Sequence, residues 1–246
     1  MKKQQVSHVL ITGDLSTTSS TQEFEKAKEF IDLLKKEHMQ VITIPGNHDN
    51  YTKASYQTQR FFQFMDETEQ GLLGFELKKE KVSAHPIGEN LWVVRLDTTH
   101  KTPVYLSTGS YTKNHDEALR RLLNSLTPDD KVIIMNHFPL YDYEPPRRRM
   151  LGSALLRKTL SEYKQVKLYL HGHTHRQQIH DLRKRSLPIT ADCGSISHIK
   201  HGSWNLLEIS NSCCHIALFK KRESNEWSCE KNLTYTWSYE ETSTVR

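Results

Sequence analysis

Short apolar runs that end at polar residues recur through the first two thirds of the chain. β-Branched and aromatic side chains are frequent in these runs, which predicts strands rather than helices. The predicted strands cover residues 6–12, 41–44, 91–96, 132–135 and 166–170. Aspartate, asparagine or histidine stands within a few residues after each of them, so polar chemistry concentrates at the strand ends.

Helical periodicity fills several of the segments between these strands. Phe24, Ile31 and Leu34 recur at the spacing of one helix face, and Ser20 with Glu23 has the spacing of an N-terminal capping box. The predicted helices cover residues 20–36, 53–65, 114–126 and 153–163. The first strand–helix–strand unit implies parallel pairing, so its two polar strand ends should emerge on the same sheet edge.

The pattern changes beyond residue 175. Short strands are predicted over residues 177–182, 187–192, 203–209 and 214–219, and their close succession indicates an antiparallel second sheet. Residues 71–89 are rich in turn signals and show no clear periodicity. Because no repeat, linker or low-complexity segment divides the chain, we predict a single domain over residues 1–246. Its motif-bearing core covers residues 6–209, and C-terminal strands and a tail cover 210–246.

Composition narrows the class of protein. Hydrophobic residues make up 36% of the 246-residue chain and the net charge is +5, which fits a globular protein with a polar surface. So modest a charge gives little support to a nuclease, and we expect no nucleic-acid partner. The cysteines at positions 193, 213, 214 and 229 lack Cys-x-x-Cys spacing, which predicts structural thiols in a reducing compartment. No apolar stretch reaches the roughly 20 residues of a membrane helix, and we expect a cytoplasmic protein.

Polar side chains follow four of the predicted strands in the same strand-to-loop context. They are Asp14, Asn47, His137, His173 and His175. The carboxylate of Asp14 could bridge two cations, while Asn47 offers an amide oxygen and the histidines offer nitrogens. Such a set without thiolate suits Mn²⁺, Fe or Zn²⁺. Two ions about 3.5–4 Å apart would hold a bridging hydroxide and clamp the oxygens of a phosphoryl group.

His48 comes directly after Asn47, so its side chain should project in a different direction, towards the leaving-group oxygen. There it could act as a general acid or stabilise developing charge. Residues 171–175 alone, with three histidines around one glycine, would fit a surface histidine cluster as well as a metal site. The matching residues at the other strand ends favour the metal site.

These motifs together resemble the calcineurin-like metallophosphoesterase superfamily. The resemblance covers roughly residues 6–209 and rests on Gly13-Asp14, residues 46–49, Asn136-His137 and residues 172–175. It implies an α/β fold, a four-layer αββα sandwich of two mixed sheets, with a dinuclear metal site at the strand ends.

The resemblance also implies a role for each site residue. Two divalent ions would be bound, Mn²⁺ being the first expectation and Fe or Zn²⁺ the alternatives. Asp14 would bridge the ions, and Asn47, His137 and His173 would hold one of them. His175 would help to hold the other ion, and His48 would be catalytic. Asp49 would orient the loop rather than bind metal.

One element of that family is missing from this sequence. Family members begin with a strand that ends in Asp-x-His, and those two side chains complete the second metal site. Nothing before Gly13 offers the motif, so we expect that the first strand is missing and that the second site is incomplete, with only Asp14 and His175. We interpret the chain as an internal start or a truncated form. The competing interpretation is a degenerate relative that binds one metal ion or none.

The predicted function is hydrolysis of a phosphoester or pyrophosphate bond. Residues 15–18 lack the Asp and Arg of protein phosphatases and are closer to bacterial small-molecule enzymes. UDP-2,3-diacylglucosamine, a precursor of lipid A, is one candidate substrate, and another small phosphodiester is the competitor. The predicted substrate-binding residues are His171, Arg147, Arg148 and Arg149. Arginines bind phosphate in a bidentate manner, and a lipid-linked substrate would bring the protein to the inner membrane face.

A function from another class remains open. A catalytically impaired scaffold of the same fold, which binds a partner protein, would explain the missing Asp-x-His motif. The presence of His48 beside the metal ligands speaks against it, because a scaffold needs no leaving-group acid. The sequence does not indicate an oligomeric state.

Overall fold

A six-stranded mixed sheet forms the centre of the fold. A computed structural model describes residues 6–65, 73–103, 105–141, 144–198 and 200–238. The strands are β1 (His8–Ile11), β2 (Gln40–Thr43), β3 (Val82–Gly88), β4 (Leu91–Leu96), β5 (Gly109–Ser110), β6 (Lys131–Asn136), β7 (Met150–Leu151), β8 (Val166–His171), β9 (Gln177–Asp181), β10 (Ile189–Cys193), β11 (Ser203–Ile209), β12 (Cys213–Lys221) and β13 (Trp227–Thr236). The helices are α1 (Thr21–Lys36), α2 (Lys53–Thr58), α3 (Arg60–Met65), α4 (Leu77–Glu80), α5 (Lys113–Asn124) and α6 (Ser153–Glu162).

The strand order in the central sheet is β3-β4-β6-β8-β10-β9. Strands β4, β6, β8 and β10 run parallel, while β3 and β9 run antiparallel at the two edges. Because the inner strands are parallel, the carboxyl ends of β6 and β8 lie side by side. These are two of the strand ends that carry the predicted ligands.

A second layer of strands packs over one face of the central sheet. β1 and β2 pair in parallel, with Val9 opposite Val41, as the sequence predicts for the first strand–helix–strand unit. β11, β12 and β13 form an antiparallel three-stranded sheet. Strands β5 and β7 form a short parallel pair.

Two apolar cores hold these layers together. One lies between the central sheet and helices α5 and α6, where Leu119, Leu122 and Leu156 are fully buried. The other lies between the central sheet and the second layer of strands, and it includes Phe24 of α1 and Cys214 of β12. Helices α5 and α6 thus cover the outer face of the central sheet, α1 packs against β2, and the predicted mixed α/β sandwich of two sheet layers is confirmed.

The capping box predicted at Ser20 and Glu23 opens α1. The amide of Glu23 donates to the hydroxyl of Ser20, and the carboxylate of Glu23 accepts the Ser20 amide at 3.0 Å. The helix predicted over residues 53–65 is two helices, α2 and α3. Gln59 between them has a φ of 51°, and this left-handed conformation ends α2.

The prediction of one antiparallel second sheet beyond residue 175 is wrong for its first half. β9 and β10 belong to the central sheet, where β10 pairs in parallel with β8. Alternation of apolar and polar residues shows that a segment is extended, but it does not specify the sheet that the strand joins. Strands β3 and β13 are absent from the sequence prediction, and residues 239–246 of the predicted tail lie outside the described residues.

Helices capable of crossing a membrane are absent from the described ranges, where no helix is both long and apolar enough.

Candidate metal and catalytic site

The loops after β1, β2, β6 and β8 bring the predicted site residues together. Asp14 follows β1, Asn47 and His48 follow β2, His137 follows β6, and His173 follows β8. Each strand is one member of a parallel pair, β1 with β2 and β6 with β8. The carboxyl ends of the strands in each pair therefore reach the same edge.

Two glycines let the loops approach one another. A Cβ atom on Gly46 would lie 2.1 Å from Oδ1 of Asp14, and one on Gly13 would lie 2.8 Å from Nδ1 of His137. Asp14 itself has a left-handed backbone with a φ of 57°. Only glycine at position 46 leaves room for the Asp14 carboxylate.

Three side chains converge at the centre of the site. Oδ1 of Asn47 lies 3.0 Å from Nε2 of His137 and 2.9 Å from Nδ1 of His173. The two imidazole nitrogens are 3.3 Å apart. Oδ2 of Asp14 lies 3.4 Å from Nε2 of His137, at the edge of this group. All three central side chains are buried.

Backbone carbonyls fix the tautomers of both histidines. Nδ1 of His137 donates to the carbonyl of Thr12 at 2.8 Å, and Nε2 of His173 donates to the carbonyl of Arg148 at 2.9 Å. A carbonyl can only accept, so these nitrogens carry the protons. With Oδ1 of the Asn47 amide turned to the two rings and its Nδ2 buried without a hydrogen-bond partner among the described residues, the lone pairs of neutral His137 Nε2 and His173 Nδ1 face an oxygen, and three acceptors meet with no hydrogen between them.

The pKa shifts of His173, His137 and Asp14 describe the charges of the site. Burial lowers the pKa of His173 to about 3, so its ring stays neutral. Burial also lowers the pKa of His137, but the Asp14 carboxylate outweighs it and the net pKa is raised. Burial opposes ionisation of Asp14, yet His137 and His48 hold the pKa of that carboxyl well below its usual range. A proton on Nε2 of His137 would make one donor, towards Oδ1 of Asn47, whereas a metal ion could bind all three lone pairs.

The donor set fits a divalent ion. Ligand atoms that bind a cation at about 2.1 Å lie about 3 Å from each other. Oδ1 of Asn47, Nε2 of His137 and Nδ1 of His173 have this spacing. Two imidazole nitrogens, an amide oxygen and a carboxylate suit Mn²⁺, Fe or Zn²⁺. Counted over His, Cys, Asp and Glu alone, no group of three in the described part of the chain could hold a metal.

Asp49 holds the loop that carries Asn47 and His48. Its buried carboxylate accepts the amides of Ser16 and Gly46 at 2.8 Å, the hydroxyl of Ser16 at 2.8 Å and the amide of Leu15 at 3.3 Å. Burial, with the nearby Asp14 charge, raises the pKa of Asp49 to about 6. Asp49 thus ties the loop after β1 to the loop after β2, and its position matches the orienting role that the resemblance implies.

His48 lies at the rim of the site and is half-buried. Its amide donates to Oδ1 of Asp14 at 3.0 Å, and its Nδ1 donates to the carbonyl of Thr17 at 2.8 Å. Its Nε2 lies 3.2 Å from the hydroxyl of Tyr51. The His48 ring thus lies outside the group formed by Asn47, His137 and His173, as expected for a residue that follows a predicted metal ligand.

His171 ends β8, and His175 follows it in the loop that carries His173. His175 has an exposed side chain and a left-handed backbone with a φ of 56°. The pKa of His175 is lowered by partial burial, although Asp14 is near enough to oppose that shift. His171 is buried, and its Nδ1 lies 3.1 Å from the Gly172 carbonyl and 3.4 Å from Oδ2 of Asp192. It lines a separate cavity of about 230 Å³ together with Leu140, Glu144 and Thr190.

The three predicted substrate arginines differ in their surroundings. Arg147 is exposed. Arg148 donates to the His173 carbonyl at 3.0 Å and pairs with buried Glu144 at 3.4 Å. Arg149 donates to the Glu144 carbonyl. Two of the three guanidinium groups therefore brace the loop beside His173, and Arg147 is the most exposed of the three residues.

Sequence reasoning missed the residues that orient the imidazoles. Thr12 and Arg148 act through backbone carbonyls, which have no signature in the side-chain pattern. Tyr51 could have been found from its position three residues after His48, the spacing at which side chains meet on a helical turn.

Comparison with known proteins identifies the family. The calcineurin-like phosphoesterase family matches residues 1–177, and the chain belongs to this family of phosphoric ester hydrolases. A curated relative, described as a probable glycerophosphodiester phosphodiesterase GpdQ of Arcobacter nitrofigilis, is 26% identical over 172 residues. The match covers 68% of this chain and 56% of the relative, so the chain spans just over half of that protein's length.

Solved structures with the same fold include two phosphatases. A dimetal phosphatase from Danio rerio aligns with a TM-score of 0.60 and 13% identity, covering 96% of this chain and 86% of its own. The purple acid phosphatase PPD1 of yellow lupin (Lupinus luteus) seeds also has a TM-score of 0.60 and 13% identity, with 96% and 47% coverage. At these identities the likeness shows the fold alone, and it agrees with the predicted architecture.

Proposed function

We propose that this protein is a metal-dependent hydrolase of phosphoric esters. The observation that carries the proposal is the convergence of Asn47 Oδ1, His137 Nε2 and His173 Nδ1, which lie 2.9–3.3 Å from one another. The carbonyl-fixed tautomers turn three lone pairs towards one point, an arrangement that suits a cation. Membership of the phosphoesterase family supplies the reaction class.

Each residue of the site takes a role in this proposal. Asn47, His137 and His173 would hold one divalent ion, with Asp14 at its edge. Asp14 and His175 would contribute to a second ion. When bound, divalent ions polarise phosphoryl oxygens and make water a better nucleophile. Mn²⁺ is the first choice to test, with Fe and Zn²⁺ as alternatives.

His48 would supply the proton to the leaving group. Because Nδ1 is engaged by the Thr17 carbonyl at 2.8 Å, Nε2 is the atom left to transfer the proton. In the imidazolium form Nε2–H donates to the ester oxygen as the P–O bond breaks, and the bonding electrons pass to that oxygen. General acid catalysis of this kind contributes roughly 10²–10⁴-fold to the rate.

A phosphodiester is the substrate class we propose. The printed name of the curated relative supports a phosphodiester, although this chain spans only part of that protein's length. A lipid-linked pyrophosphate such as UDP-2,3-diacylglucosamine stays a prediction, as do contact with a membrane face and the cytoplasmic location. The engagement of Arg148 and Arg149 with Glu144 leaves only Arg147 unoccupied among the three predicted arginines. The single-domain organisation and the scaffold alternative also stay predictions.

The test is hydrolysis by chelator-treated protein reloaded with Mn²⁺. Bis(p-nitrophenyl) phosphate is the first substrate, followed by glycerophosphodiesters and UDP-2,3-diacylglucosamine. We expect Mn²⁺-dependent release of product, with a loss of at least about 100-fold in His137→Ala. The matched control is His215→Ala, on the exposed side of β12, which should keep wild-type activity.

The outcomes separate the alternatives. Activity that is equal with and without metal, or equal in His137→Ala and the wild type, would overturn the proposal. Metal binding without hydrolysis of any of these substrates would favour the scaffold.

A further inference from the structure

Tyr51 contacts the catalytic face of His48. The Tyr51 hydroxyl lies 3.2 Å from Nε2 of His48, and the two ring centroids are 4.2 Å apart. The same hydroxyl lies 3.3 Å from the hydroxyl of Ser107. Nε2 is the nitrogen to which the proposed reaction assigns the proton, so Tyr51 touches the atom on which the chemistry depends.

The Thr17 carbonyl sets the donor-to-acceptor direction of the hydrogen bonds that link Ser107, Tyr51, His48 and Thr17. The Thr17 carbonyl can only accept, so Nδ1 of His48 carries a proton in every state of the ring. In the neutral ring Nε2 must then accept, and the Tyr51 hydroxyl is its donor. Ser107 in turn can donate to the Tyr51 oxygen. The hydrogen bonds thus run in one sense from Ser107 through Tyr51 and His48 to Thr17.

The backbone holds Tyr51 in this place. The hydroxyl of Ser19 donates to the His48 carbonyl at 2.6 Å and accepts the amide of Tyr51 at 2.9 Å. One serine side chain therefore ties together the residues at the two ends of the short 3-10 turn His48–Asn50. These bonds fix the backbone of the turn, and the His48 ring itself is held by the Thr17 carbonyl and the Tyr51 hydroxyl.

We propose that Tyr51 is a positioning residue that holds Nε2 of His48 in line with the leaving group, an inference that rests on the proposed role of His48. A phenolic hydroxyl can both donate and accept, so it can hold the ring in both protonation states. While Nε2 carries the proton, Nε2–H is shared between the Tyr51 oxygen and the leaving-group oxygen, and the Tyr51 O–H turns to Ser107. After the proton has passed to the leaving oxygen, the Tyr51 O–H donates to the emptied Nε2.

The kinetic test compares leaving groups in the full chain loaded with Mn²⁺. Tyr51→Phe keeps the ring and removes the hydroxyl. On a dialkyl phosphodiester, whose leaving group needs the proton, we expect kcat to fall about tenfold with KM nearly unchanged. On bis(p-nitrophenyl) phosphate, whose leaving group departs without help, the fall should be about threefold or less. In a His48→Ala background Tyr51→Phe should have no further effect.

The matched control is Tyr105→Phe, which removes the hydroxyl of a tyrosine that is 74% exposed. This variant should behave as the wild type on both substrates. Equal losses on the two substrates in Tyr51→Phe, or a further loss in the His48→Ala background, would mean that Tyr51 acts on the fold rather than on His48.

A second measurement is independent of turnover. In metal-free protein the ¹⁵N resonance of His48 Nε2 should move in Tyr51→Phe and stay in place in Tyr105→Phe. An unmoved resonance would overturn the inference. If the wild type hydrolyses none of the substrates, the proposed function fails, and the resonance still decides whether Tyr51 positions the ring.

Discussion

Nδ1 of His173 lies 2.9 Å from Oδ1 of Asn47, although the two residues are 126 positions apart in the chain. Each belongs to a loop that follows a strand of a different sheet, β8 in the central sheet and β2 in the layer above it. The site therefore lies where the two sheet layers meet. Its geometry depends on the packing between the layers as much as on the loops themselves.

Metal binding should stabilise the fold through this contact. For chelator-treated protein, Mn²⁺ at about 100 times its Kd should add about 2.7 kcal/mol to the free energy of unfolding. For a chain of this size we expect a rise in Tm of roughly 5–10 °C. In His173→Ala most of the Mn²⁺-dependent rise in Tm should be lost, and in His215→Ala it should be retained. Differential scanning calorimetry measures this rise. A similar gain in His173→Ala would place the metal elsewhere.

Gly46→Ala should disrupt the site sterically. The added Cβ would lie 2.1 Å from the carboxylate oxygen of Asp14, so either Asp14 or the loop must move. We expect a fall of roughly 1–3 kcal/mol in stability and loss of Mn²⁺ binding, measured by denaturation and isothermal titration. Gly88→Ala is the matched control, because the nearest atom to its Cβ would be 3.7 Å away. Normal Mn²⁺ affinity in Gly46→Ala would contradict the steric argument.

Asp49→Asn should loosen the link between the loops after β1 and β2. The carboxylate accepts four hydrogen bonds, and an amide that replaces it has only one accepting atom. An NH₂ group facing the backbone amides leaves buried donors unsatisfied, at a cost of about 1–3 kcal/mol in the free energy of unfolding. Urea denaturation measures this difference, with exposed Asp129→Asn as the control. Equal stability of the two variants would show that Asp49 does not hold the loops.

His85 should make stability fall as the pH falls. Burial, aided by the charge of Arg95, lowers the pKa of His85 from 6.5 to about 4. Between these values the unfolded chain binds a proton and the folded chain does not, so acid favours unfolding. From pH 7 to pH 5 the wild type should lose about 2 kcal/mol more than His85→Gln in the free energy of unfolding. Parallel stability curves for the two proteins would contradict this expectation.

The local pattern of apolar and polar residues predicts most strands. It does not predict a strand that is largely exposed or one that contains proline or glycine. β3 contains Pro86 and Gly88, which are tolerated because β3 lies at the edge of the central sheet. β13 is largely exposed and forms the edge of its sheet, so it needs few apolar residues. Neither strand has the apolar run that signals a buried strand.

The assignment of β9 and β10 to the wrong sheet has a different cause. The sequence predicts both segments as short strands, over residues 177–182 and 187–192. β10 joins β8 in parallel through Ile189 and Leu168, a pairing between strands that are separated by the whole of β9. Pairing of this kind is decided by which faces can be buried together, and this is a property of the assembled core.

The local sequence predicts the chemical types of the site residues and their places at the strand ends. Asp14, Asn47, His137 and His173 each follow an apolar run, and the structure brings these four residues together. Their roles as metal ligands stay predictions. The types and positions of these residues can be predicted because strands, turns and potential ligands are all specified by local side chains.

The orientations of the site side chains depend on contacts between distant parts of the chain. The carbonyls of Thr12 and Arg148 orient the two imidazoles, and the hydroxyl of Tyr51 meets His48. Thr12 lies 125 positions from His137, and a backbone carbonyl is the same in every residue, so no sequence pattern marks such a partner. The orientation of each site side chain is set by hydrogen bonds that form only when the loops have packed against one another.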